Sequence, residues 1–160
     1  MAKIAVKILL IFIALTVLQI VVVPFISINS IEPNLLVLFV IYYSLSLKKT
    51  HSLLFGFFTG LLFDLASGGV LGVNAFALTV VAFIANENKH NFSENEIFTY
   101  KFIWLVFLAS SASAFLINFL NGFTVGILYA IIFYGIFSGL YTMLFAVPLL
   151  FFAPEVKLNE

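Results

Sequence analysis

Residues 102–154 carry no charged side chain, a run about twice the roughly 20 residues that one helix needs to cross a bilayer. The interior of a small soluble domain is too small to hide such a run, and the rest of the chain adds to the load. Of 160 residues, 64% are hydrophobic and 9% charged, with a mean hydropathy of +1.23, which places the chain in a membrane. Asn121, Gly122, Thr124 and Gly126 interrupt the run. They divide it into two helices, near 102–120 and 128–152.

The charges cut the remainder in the same way. A first helix is expected over 4–26, with Pro24 where it closes. The second is expected over 33–47, with Pro33 in its first turn, where a missing N–H costs nothing. Lys48 and Lys49 would snorkel to complete that short span. The third and fourth are expected over 52–66 and 71–85, reversing at Ser67, Gly68 and Gly69. Lys3 and Lys7 before an apolar run imitate a secretory signal, but the charge-free stretch from residue 8 to 28 exceeds the ~7 to 15 residues of a signal core, and no small-x-small site follows. It is read as a retained helix. The expected fold is therefore all-α, one polytopic bundle of about six transmembrane helices spanning 1–160.

Six helices with a cytoplasmic N-terminus put Lys3, Lys7, Lys48, Lys49, Lys89, Lys101 and Lys157 on one side, as the positive-inside rule asks. The opposite loops, around Glu32, Gly69 and Gly122, hold none. Five helices would strand Lys157 outside. The expected location is an inner membrane, multi-pass, with both termini cytoplasmic.

Composition also narrows the function. Seven basic and seven acidic residues give zero net charge, leaving no basic field for nucleic acid. No Cys is present, so disulfides and thiolate metal sites are out. His51 and His90 lie beside Lys and polar neighbours and read as solvated loop residues rather than ligands. All seven basic residues are Lys, and the acids other than Asp64 fall in loops or tails. An enzyme acting on lipid phosphates wants clustered carboxylates with a metal, or Arg and His against the phosphate, and neither grouping exists here. The sequence reads as a non-enzyme with no cofactor. The sequon at Asn91, Phe92 and Ser93 falls on the cytoplasmic side, which argues against glycosylation.

Small residues recur four apart, as Gly56/Gly60, Gly122/Gly126 and Gly135/Gly139, beside the run Ser110, Ser111, Ala112, Ser113, Ala114. This spacing lets helix backbones approach closely in lipid. The commoner use is packing between a protein's own helices, and the alternative is a docking face for a partner's helix. Asp64 is the lone acid expected inside a span, near the outer end of the third helix. A carboxylate there costs ~2.5 to 3.5 kcal/mol at a helix centre and less toward the interface. With no cation in the other spans, it reads as a structural clamp, within reach of Asn74 and of backbone N–H groups across the Gly68/Gly69 reversal. Asn at position 64 should then be tolerated and Leu should disrupt assembly. Gln19, Asn118 and Asn121 are further polar residues at membrane depth or its edge.

Residues 33–85 carry a resemblance. Pro33 and Asn34 open the second helix, and Gly56, Gly60, Leu61, Leu62, Asp64, Leu65, Ser67, Gly68, Gly72, Asn74 and Ala75 follow as G-x-x-x-G-L-L-x-D-L-x-S-G and then L-G-x-N-A. This segment, about one third of the chain, resembles the MreD family of bacterial rod-shape-determining membrane proteins. Asn34 stands where that family commonly has Asp. The resemblance implies a scaffold of the peptidoglycan elongation machinery. Its implied partners are an MreC-like single-span protein, other membrane proteins of that complex, cell-wall synthases and membrane lipid. It also implies a fold like the substrate-binding subunits of energy-coupling vitamin transporters, which supplies the alternative function of a solute-binding transport subunit. Against that alternative, the first helix lacks an Ala-xxx-Ala face and the interior shows few polar groups for a vitamin. The candidate structural or partner-binding residues are Gly56, Gly60, Asp64, Gly68, Gly72, Asn74, Gly135 and Gly139.

Overall fold

The computed structural model describes residues 2–29, 31–92, 100–122 and 130–152. These form six helices: α1 (Ala2–Val17), α2 (Leu35–Ser46), α3 (Lys49–Ser67), α4 (Val73–Glu87), α5 (Tyr100–Leu120) and α6 (Ser138–Phe152). α1 continues through a π-helical stretch, Leu18–Val22, and a tight 3-10 turn, Val23–Ile26. Pro24 explains that ending. It has no N–H for the preceding turn and its ring crowds that turn's carbonyl, so the coil first widens and then tightens. A second π-helical stretch, Ala130–Phe137, leads into α6. The expected start of the sixth helix, residue 128, lies outside the described residues.

Among the described residues, two stretches are long and apolar enough to cross a membrane, Val6–Ile26 and Lys101–Leu120, and Leu35–Ser46, Val73–Glu87 and Ile132–Val147 are shorter apolar helices. Shortness has a physical reason in α2. Every residue from Leu36 to Ile41 is buried, as are Ser44 and Leu45, so this helix is apolar all round because protein surrounds it all round. Leu78, Val81 and Ala82 of α4 and Phe102, Leu105, Val106 and Ala109 of α5 share its cluster, with Ala146 of α6 and partly buried Ile8, Ile11, Phe12 and Leu15 of α1.

A helix buried at both ends must find partners for its first N–H groups and last carbonyls. In α2 these come from other helices. Asn34, the N-cap, offers Oδ1 to the N–H groups of Leu36 (3.1 Å) and Val37 (3.2 Å). The Leu35 N–H donates to Gln19 Oε1 (2.8 Å), and the Asn34 N–H to Thr142 Oγ1 (3.0 Å). At the other end, Asn86 Nδ2 donates to the carbonyls of Ser44 (3.2 Å) and Leu47 (3.0 Å). Pro33 consequently sits one residue before the N-cap rather than in the first turn. Its carbonyl accepts from Gln19 Nε2 at 3.0 Å.

The helices alternate in direction, so the connections collect at two ends. One end gathers the 27–34 linker, the Gly68–Gly72 reversal and the turn at Asn121 and Gly122. The other holds Lys48, Lys49, Lys89 and Lys101. α3 begins at Lys49, three residues earlier than the sequence suggests, which makes His51 an exposed helical residue. Lys49 has a partner within the bundle. Its ammonium pairs with Glu87 of α4 and lies 5.0 Å from the Phe83 ring centroid, and both charged side chains are about half exposed, so this pair contributes little stability. α4 begins at Val73 rather than 71, after Gly72 with φ +94°.

Candidate functional site

The tightest helix contact runs along α3 and α4. A methyl group added at Gly56 would lie 2.5 Å from the Leu78 carbonyl oxygen and 2.9 Å from Ala82 Cβ, and one at Gly60 would collide with the Asn74 carbonyl and sit 2.5 Å from Ala75 N. Absent side chains on α3 therefore let the backbone of α4 lie directly against it. Gly139 makes a looser contact with α5, where an added Cβ would overlap the Ser111 hydroxyl and stand 3.0 Å from the Phe107 carbonyl. Gly135 leaves 3.9 Å to the nearest atom of α5. These glycines face the chain's own helices. The two sets occupy separate seams, and Gly126 lies outside the described residues.

At the end of the α3/α4 seam, Asp64 is 1% exposed and both carboxylate oxygens are fully occupied. Oδ2 accepts from the N–H groups of Gly72 (2.8 Å) and Ala75 (3.3 Å), and Oδ1 from the backbone N–H (3.2 Å) and side-chain Nδ2 (2.8 Å) of Asn74. Its acceptors take up the unpaired first N–H groups of α4, where the helix dipole favours negative charge. The chain reaches this geometry because Gly68 and Gly72 adopt φ of +68° and +94°, a region that residues with a Cβ rarely enter. Both have open space around them.

A second polar knot lies at the same end, where the 26–34 linker meets α6. Besides the Thr142 and Gln19 bonds, the Ser138 hydroxyl donates to the Glu32 carbonyl (3.4 Å) and the Tyr141 hydroxyl to the Ile26 carbonyl. Between the two knots is a cavity of about 390 Å³. Polar residues contributed by every helix except α2 and by the linker line it: Gln19, Glu32, Asn34, Ser67, Asn74, Asn118, Tyr134 and Ser138. The sequence led us to expect few interior polar groups. The structure corrects that, because residues dispersed over more than a hundred positions converge at one end.

Sequence reasoning singled out Asp64, Asn74, Gly72, Gln19 and Asn118, all of which are at this end. It missed Thr142, Ser138, Tyr141 and Asn86, because a hydroxyl or amide in a span gives no sign of which helix end it serves. Among the described residues, no three of His, Cys, Asp and Glu gather into a group that could hold a metal.

Comparison with curated proteins and with solved structures gives no match, so nothing in them supports the expected likeness to vitamin-transporter subunits. Residues 2–156, nearly the whole chain, match the family described as rod shape-determining protein MreD. An all-helical apolar bundle, a glycine seam closed by a buried Asp and a match of this length agree, and the chain belongs to the MreD family.

Proposed function

We propose that this protein is a non-enzymatic membrane scaffold of the cell-wall elongation machinery, which holds an MreC-like single-span protein and couples cytoplasmic actin-like filaments to peptidoglycan synthesis outside. The observation that carries this reading is the family match over residues 2–156. In it, the protein crosses the cytoplasmic membrane six times with both termini inside. Supporting that orientation, the described lysines cluster at the end opposite the cavity, so the polar knots belong to the outer side.

A rigid bundle suits such a role. The Gly56, Gly60 and Gly139 faces are taken up by internal seams, so an incoming helix meets an outward apolar face instead. α1 with its continuation, Val6–Ile26, is the less covered of the two long apolar stretches, with 17% of its apolar window buried against 28% for Lys101–Leu120, and Leu9, Leu10, Ile13 and Val17 point outward. The test is purification in mild detergent with MreC from the same organism, followed by cysteine cross-linking from Leu10, Leu62 and Leu144, exposed positions on three different helices. Co-purification with a cross-link at Leu10 is expected. Failure of MreC to co-purify, together with tight binding of a labelled vitamin, would replace the scaffold by a transport subunit.

A further inference from the structure

The bonds around the cavity leave a defined set of polar groups unspent. Three asparagines line it, and chemistry fixes which way each amide faces. Asn34 must present Oδ1 to the two N–H groups it caps, which leaves its Nδ2 as a donor. Asn74 must present Nδ2 to the Asp64 carboxylate and Asn118 its Nδ2 to the Ala114 carbonyl (2.9 Å), which leaves two Oδ1 acceptors. These three half-amides have no partner among the described residues. Apolar surface from Ile20, Pro24, Ile31, Phe63 and Ile117 completes the wall.

Backbone irregularity points to the same place. Well under 1% of residues in proteins are π-helical, and π turns often mark functional sites. Both π-helical stretches among the described residues contribute to this wall, the first through Gln19 and Ile20 and the second through Tyr134. Among the described residues, no Lys, Arg or His lines the cavity, its Glu32 is exposed, and the Asp64 carboxylate is bonded to Asn74 from behind. The electrostatics therefore repel anions such as phosphate or a free carboxylate.

We propose that this cavity is a binding site for a small uncharged ligand bearing an amide, its carbonyl meeting Asn34 Nδ2 and its N–H groups meeting the acceptors of Asn74 and Asn118. The volume, about 390 Å³, is at the lower end of the ~300 to 1,000 Å³ usual for small-molecule sites, and apolar walls with a few convergent polar groups are their usual lining. This site is independent of the scaffold reading, since partner binding uses the outward helix faces.

Asn118 is the position to vary, because its side chain bonds only within its own helix, whereas Asn34 and Asn74 also hold the fold. The probes are N-acetyl-alanine methylamide, its anionic counterpart N-acetyl-alaninate, and inorganic phosphate, titrated by ligand-observed NMR against the full chain in detergent. Saturable binding of the neutral amide, at least tenfold weaker binding of both anions, and a tenfold or greater loss in Asn118→Leu with an unchanged melting temperature are expected. If Asn118→Leu does not fold, Asn118→Ala removes the acceptor without adding bulk and gives the same readout. Absence of saturable binding would show that the cavity merely holds water, and anions bound as well as the amide, or a folded Asn118 variant that binds normally, would each overturn the proposed neutral-amide site. Co-purification of MreC with the Asn118 variants separates this result from the scaffold question.

Discussion

The α3/α4 and α5/α6 seams carry the same sequence signal, two glycines four apart, yet they are built differently. Along α3 an added methyl collides with the backbone of α4, whereas at Gly139 of α6 its worst overlap is with the Ser111 hydroxyl and the Phe107 carbonyl stands back at 3.0 Å, and at Gly135, in the π-helical stretch before α6, it meets nothing closer than ordinary contact. Backbone cannot step aside without moving the whole helix, while a side chain can rotate. The first seam is also locked at its end by the four bonds to Asp64, and the second instead contains Ser111, whose buried Oγ has no partner among the described residues. Small-residue spacing therefore reports that a close approach is permitted. How close it is depends on what the opposite helix presents.

This contrast can be broken most forcefully at Asp64. Asp64→Leu strips the acceptor from four N–H groups, each costing about 1 kcal/mol or more when left unpaired, and a total loss of about 3 to 5 kcal/mol should appear as a failure to recover monodisperse protein. A well-behaved Leu variant would mean that the glycine seam alone holds the hairpin. Next comes Gly60→Ala, where the overlap is with backbone. A loss of about 2 to 3 kcal/mol, read by denaturant unfolding in detergent, is expected, and a smaller one would show α4 able to retreat.

Asp64→Asn sharpens the expectation that Asn is tolerated. Both carboxylate oxygens accept two N–H groups, so an amide must turn its own NH₂ toward donors. The cost, about 1 to 2 kcal/mol, should lower the melting temperature while leaving the protein assembled. Loss of function with full stability would instead assign a role to the charge itself. At the looser seam, Gly139→Ala should cost about 1 kcal/mol, since the Ser111 rotamer can adjust and the Phe107 carbonyl at 3.0 Å need give by only a few tenths of an ångström. Gly135→Ala should fall within about 0.5 kcal/mol of the native protein. Equal effects at Gly60 and Gly139 would erase the distinction between the two seams.

Much of the hairpin was legible before any coordinates. Asp64 and Asn74 flank a turn that holds three glycines, so local sequence brings them together once two helices form, and two of those glycines, Gly68 and Gly72, supply the positive φ values that the turn needs. The caps of α2 were not legible. Gln19 lies 16 positions from Leu35, and Thr142 lies 108 from Asn34, separations over which a hydrogen-bonding residue carries no address. Helix starts shifted by two or three residues for a related reason. Apolarity marks where a helix prefers lipid, but the N–H groups that need acceptors decide where it begins, as Asn34 does for α2.

By itself the sequence determined that the chain enters a membrane, roughly which segments are helical, and that one acid must be sheltered. These follow from transfer free energies that each segment carries alone. Only the tertiary structure decided that α2 is the buried axis, that its end groups are satisfied from α1, α4 and α6, and that dispersed amides line a half-open cavity between two polar knots. Those outcomes depend on which helix faces touch. In lipid, where apolar surface has no preference among apolar neighbours, that choice is made by shape and hydrogen bonding over the whole bundle.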